Sequence, residues 1–191
     1  MSAQDILHFW FGEPGSAGFG SPRAVWFRKD GDFDAAIAQR FGATVQAALA
    51  GRLRDWDAAP HSSLARILVL DQFTRNISRD TPQAFAGDAL ALAAADAMVE
   101  RGFDAALLPV QRAFVYLPFE HAEDLGQQQR CVALFTALAG HGPSMQSMLD
   151  YAIRHRDVIQ RFGRFPHRND ILGRASTNEE LEFLTLPGSR F

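Results

Sequence analysis

The sequence predicts an all-α protein: about eight helices folded back on one another as stacked antiparallel hairpins, in a single domain spanning 1–191. Three observations carry that expectation. Phe33, Ile37, Phe41, Val45 and Leu49 recur every four residues, which places them on one face of a helix. Helix caps and stops punctuate the chain, with Ser2, Thr81 and Thr177 at starts and Gly51 and Gly102 at ends. No stretch alternates strictly between apolar and polar residues with β-branched enrichment, so no strand is predicted.

The elements follow in order. Ser2, with Asp5 three residues on, opens a short helix carrying Ile6, Leu7, Phe9 and Trp10. GEPGSAGFGSP is a Gly-, Ser- and Pro-rich connector; no GK[ST] follows it and no strand precedes it, so its glycines form no phosphate loop. A helix from Asp32 ends at Gly51. HSSLARILVLDQFTRNI begins at a serine cap, with Asp71 and Arg75 spaced to pair on its polar face. Thr81 and Pro82 open a helix running to Glu100 and closed by Gly102. The helix after Pro109 must kink or end at Pro118, which leaves the Phe114 carbonyl without its donor. Two more helices meet at Gly140–Pro143, and Thr177 with Glu180 forms a capping box for the last one. Hairpins over 32–77, 81–118 and 125–163 have the spacing of helical repeats without residue-level self-similarity.

Bulk composition excludes several functions. Net charge is −3 and the chain is 47% hydrophobic, so no global field favours nucleic acid or an acidic membrane. Only Lys29 among the basic residues is a lysine; a GC-rich coding sequence gives that bias without selection for phosphate binding. The lone Cys131 rules out an internal disulfide and reads as a buried thiol. The N-terminus lacks the basic region of a signal peptide, and ALALAAADAMV is too short to span a bilayer, so a cytoplasmic location is expected. Histidine spacing offers no zincin or di-iron pattern, no metal or cofactor is specified, and no nucleic-acid module is legible.

Two polar clusters carry chemistry. YLPFEHAED sets Glu120 and His121 after a helix-breaking proline, a carboxylate and an imidazole that suit acid–base work if a third group makes them converge. RFGRFPHRNDILGR lies in a stretch, residues 154–174, with six arginines against Asp157 and Asp170. Arginine forks match carboxylate or phosphate. Glu120, Glu123 and Asp124 are equally natural partners for those arginines, so an internal charge network is the competing reading, with His167 and Asn169 as hydrogen-bond fillers.

The phrases ILHFWFG, WF at 26–27, LDQFTRNI, TPQAFAGDALAL, YLPFEHAED and FGRFPHRNDILGRAST, in this order, resemble the bacterial family known as domain of unknown function 924. That resemblance implies a tetratricopeptide-like helical fold and supplies no activity. Its polar motifs fall here on Asp71, Gln72, Arg75 and Asn76, on Glu120, His121 and Glu123, and on His167, Arg168 and Asn169. The family pattern has Ser at Ala122 and Ala at Asp170; Asp170 would set an extra acid beside Arg168.

The leading functional expectation is a polar pocket where LDQFTRN, LPFEH and FPHRN converge. It would bind a small anion or peptide end through Asp71, Arg75, Asn76, Glu120, His121, His167, Arg168 and Asn169. The alternatives are an enzyme using a His/Glu acid–base pair drawn from His121, Glu120 and His167, and a helical scaffold for a protein partner.

Overall fold

A computed structural model describes residues 1–190, and all its regular elements are helical. There are eight helical runs, joined by turns and short 3-10 segments: α1 (Ala3–Phe11), α2 (Gly31–Leu49), α3 (60–77), α4 (Asp88–Glu100), α5 (Pro109–Glu120), α6 (Leu125–Leu138), α7 (Pro143–Phe162) and α8 (Asn178–Phe183). From α2 to α7 each helix packs on the next, and α3 lies centrally, against α1, α2, α4 and α5.

The caps expected from sequence form at both ends of the chain. Ser2 and Asp5 close a capping box on α1, as Thr177 and Glu180 do on α8. Gly102 and Gly163 take left-handed conformations just past α4 and α7. The α2 stripe predicted from fourfold spacing buries Ile37, Phe41 and Val45.

Three boundaries differ from the sequence reading. α3 starts at Pro60, with Ala59 as its cap, rather than at a serine; proline's fixed φ and missing N–H suit the first turn. Thr81 opens only a 3-10 turn, Pro82–Phe85, and α4 begins at Asp88. α5 runs through Pro118 and stops at Glu120, so the proline costs one donor near the end of the helix without terminating it.

Within α3, Val69–Phe73 is a π-helical turn, which neither periodicity nor capping foretold. The wider turn displaces the regular hydrogen-bond register. Thr74 answers part of that displacement: its hydroxyl donates to the Leu70 carbonyl at 2.5 Å. The same carbonyl explains Gly87. A Cβ there would stand 2.0 Å from Leu70 O, so only glycine lets the start of α4 lie against the π turn.

The main core is rich in aromatic residues. Trp10, Trp26, Phe73 and Phe114 meet with ring centroids 4.9–5.9 Å apart, and the Trp26 indole donates to the Trp10 carbonyl at 3.1 Å. Trp26 is thus a core residue tying the connector to α1. Cys131 is buried, and burial raises its thiol far above the usual range. A smaller cluster of Val158, Ile159 and Phe165 seats the segment after α7.

Candidate functional site

The π turn carries Asp71 inward. Asp71 and Arg75 do pair, Oδ1 to Nη1 at 3.0 Å, but on the buried side of α3: the Asp71 side chain is 1% exposed, whereas the sequence reading put the pair on a polar face. Arg75 Nη1 also donates to the Asp71 carbonyl at 2.7 Å, and the Gln72 amide donates to Asp71 Oδ2 at 2.6 Å. Beyond it, Arg75 reaches Asp88 at the start of α4, with Nη2 to Oδ2 at 3.0 Å and Nη1 to Oδ1 at 2.9 Å. Burial alone would raise the Asp71 pKa, but the charge of Arg75 and the hydrogen bonds from His121 and Gln72 overcome it and hold the carboxyl well below the usual range.

The end of α5 supplies Glu120 and His121. The buried Gln128 amide of α6 holds this terminus, donating to the carbonyls of Phe119, Glu120 and Ala122 at 3.3, 2.6 and 2.8 Å. The acid–base partners differ from those expected. His121 Nδ1 lies 2.7 Å from Asp71 Oδ1, so Nδ1 carries the proton and Nε2 is the basic nitrogen of the neutral ring. Glu120 points to His155 instead, Oε1 to Nδ1 at 3.5 Å, while His155 Nδ1 donates to the Tyr151 carbonyl at 2.9 Å. Glu120 Oε2 is enclosed without a hydrogen-bond partner among the described residues. Burial, with a smaller push from Asp71, lifts its carboxyl to about 8, so it is neutral at pH 7. Burial lowers His121, against the opposing pull of Asp71, and takes His155 to about 3 and His167 to about 4.

The segment after α7 sorts its arginines. Arg164 is bound by Glu180 through two contacts, 2.6 and 2.7 Å. Arg174 is bound by Glu123 through another two, 2.6 and 2.9 Å, and Glu123 also accepts the Phe165 N–H at 2.7 Å. Asp124 caps α6 through the Gln127 N–H. Of the three acids expected to neutralise this stretch, only Glu123 does so; Glu120 touches no arginine. Asp170 is exposed and is not the acid facing Arg168.

Arg168 is the exception among these cations. Its side chain is 8% exposed, and Asp88 Oδ2, already engaged by Arg75, is 3.6 Å from its Nη1. Its Nε is enclosed with no hydrogen-bond partner among the described residues. Its guanidinium carbon lies instead 4.8 Å from the Phe85 ring centroid and 4.5 Å from that of Phe165. Burial and the neighbouring charge of Arg75 lower its pKa to about 10.

Six of the sequence-predicted residues thus belong to one cluster linked by contact or by charge: Asp71, Arg75, Glu120, His121, His167 and Arg168. Two are committed elsewhere. Asn76 donates to Asp34 at 2.7 Å, beside the Arg79–Asp34 pair. Asn169 joins the C-terminal network, donating to Ser176 and Glu180 and accepting from Arg174. Asp88, His155, Phe85 and Phe165 were missed as participants; Asp88 and Phe85 lay within the quoted TPQAFAGD phrase, but nothing local marked them. Among the described residues no group of three or more His, Cys, Asp or Glu side chains is placed to hold a metal ion. No helix there is long and apolar enough to cross a membrane.

The family described as bacterial protein of unknown function (DUF924) matches residues 6–188 of this chain. A solved structure of a protein of unknown function from Agrobacterium tumefaciens is similar throughout, at 42% identity and a TM-score of 0.84, covering 95% of this chain and 96% of that one. No curated protein matches the chain.

Proposed function

Since the chain belongs to the bacterial DUF924 family, we propose, on the geometry of its own residues, that the cluster around Arg168 binds a small anion. The observation that carries this reading is the state of Arg168. A guanidinium has five N–H donors, and burying them without partners costs free energy. Here the cation is buried, one donor is enclosed and orphaned, and the carboxylate facing it at 3.6 Å is taken by Arg75. Asp71 and Glu123 are engaged by Arg75 and Arg174, and Glu120 is neutral. An entering anion gives these donors an acceptor. Its way in is the partly exposed rim, where the side chains of Arg75, Asp88 and His121 are 19%, 23% and 16% exposed.

Thermal unfolding in the presence of a panel of phosphorylated and carboxylated metabolites tests the reading, with Arg168→Ala as the control. The expected result is a rise in Tm for wild type that the variant does not show. A panel that moves neither protein, or both equally, would falsify the anion site.

One observation favours a second reading, an enzyme. The Asp71–His121 pair orients a neutral imidazole with Nε2 as its base, an arrangement suited to taking a proton from a bound substrate. The His/Glu pairing first expected is replaced in this reading by His/Asp. His121→Gln should then keep anion binding and lose turnover of whichever bound compound is consumed. The scaffold reading rests on no comparable feature: exposed apolar side chains such as Phe27, Leu108, Tyr151 and Leu181 come from separate elements.

A further inference from the structure

The anion-site reading leaves the ligand's chemical class open, and the same residues narrow it. Resting on that reading, we propose that the ligand is a small monocarboxylate held by the in-plane donors of Arg168.

Charge and shape both argue for it. The inner ring holds two aspartates, Asp71 and Asp88, against two arginines, Arg75 and Arg168. Those charges already cancel, so the cluster is short of an acceptor for Arg168 rather than short of negative charge. A monoanion leaves one excess charge among largely buried side chains, while a phosphate or sulfate dianion leaves two. The cost of uncompensated charge climbs steeply at low dielectric. The surrounding groups do not relieve a dianion: Glu123 and Arg174 cancel each other, and His121, His155 and His167 are all shifted toward the neutral form.

Guanidinium donors lie in one plane, and a carboxylate offers two coplanar oxygens at matching separation. The Phe85 and Phe165 rings lie against the same guanidinium, so the ligand's body meets hydrocarbon where a phosphate's outer oxygens would meet no donor. Small size follows from the burial of Arg168, 8% exposed, among side chains that are themselves 16–23% exposed.

The experiment compares the Tm of wild type, Arg168→Met and Arg168→Lys at pH 7.5 and constant ionic strength. The probes are acetate, propionate, benzoate and N-acetylglycylglycine on one side, and sulfate and inorganic phosphate on the other, with chloride as the salt control. The expected result is a rise of a few degrees with one or more carboxylates for wild type. That shift should be lost in Arg168→Met and cut at least by half in Arg168→Lys, which keeps the charge and loses the fork. A shift from the short acids assigns the carboxylate to a metabolite; one from the acetylated dipeptide alone assigns it to a peptide end. Sulfate or phosphate acting through Arg168 as strongly as the carboxylates overturns the monocarboxylate and leaves an anion site standing. If no probe separates wild type from Arg168→Met, both readings fall.

Discussion

Replacing Arg168 with methionine should make the ligand-free protein more stable. Its pKa, lowered by burial to about 10 from the much higher value of a free guanidinium, reflects a charged form disfavoured in the fold. That gap corresponds to about 3 kcal/mol working against folding. By sign, a base depressed in the folded state carries this penalty at every pH below about 10, so it is constant near neutrality. Opposing it are the contacts with Phe85 and Phe165, about 1 kcal/mol each for a cation over a ring. Methionine recovers part of these through sulfur–aromatic contact, roughly 0.5 kcal/mol each, and fills most of the space. The balance favours Arg168→Met by about 1–2 kcal/mol, or roughly 3–6 °C in Tm for a chain of this length. Urea unfolding and calorimetry without added anion both measure it. A loss of about 2 kcal/mol or more would show that Arg168 pins the C-terminal segment in place and that its charge is compensated, removing the basis of the anion site. A gain, together with lost anion binding, is the trade of stability for function expected of a binding cation.

Two further outcomes follow from neighbouring residues. Gly87→Ala should cost about 3 kcal/mol or more, because its Cβ would stand 2.0 Å from a backbone carbonyl that the π turn cannot withdraw; an effect within about 1 kcal/mol in urea titration would mean that α4 shifts freely against α3. Glu120 titrates near 8 in the fold against 4.5 unfolded, so its contribution is complete below pH 4.5 and is lost as pH rises through 8. Glu120→Gln should therefore match wild type near pH 4 and exceed it by roughly 4–5 kcal/mol at pH 9; parallel stability curves across that range would show that Glu120 is not buried as a neutral acid.

The fold was legible where physical signals are local. A capping box joins residues three apart, so Ser2–Asp5 and Thr177–Glu180 could be read directly and both formed. Fourfold apolar spacing likewise gave α2 its buried face. The π turn was not legible, because an apolar run such as ILVL is compatible with either register, and the choice lies in tertiary contacts with α4. Gly87 carried the only trace of that choice, and in sequence it reads as an ordinary interruption of the Thr81 helix. Gln128 was silent for a similar reason: its role is to cap a helix that ends eight residues earlier in the chain.

Membership of the site was legible as composition, but its wiring was not. The sequence showed more arginine than acid between 154 and 174, yet pairing depends on which helix ends are adjacent in space. Glu123 went to Arg174, Glu180 to Arg164, and Asp88, thirteen residues beyond Arg75, took the place expected for Glu120. This reassignment is what separates the two readings left open by the sequence. Had Glu120 faced Arg168, the cluster would be a closed charge network with every donor answered. Instead Glu120 is a neutral acid turned toward His155, and among the described residues Arg168 keeps its charge beside a shared carboxylate 3.6 Å away. A chain selected for stability alone would shed such a cation for a hydrocarbon side chain. On the proposed reading a ligand completes its hydrogen bonds where three distant segments meet, and the stability of Arg168→Met decides between that reading and a purely structural one.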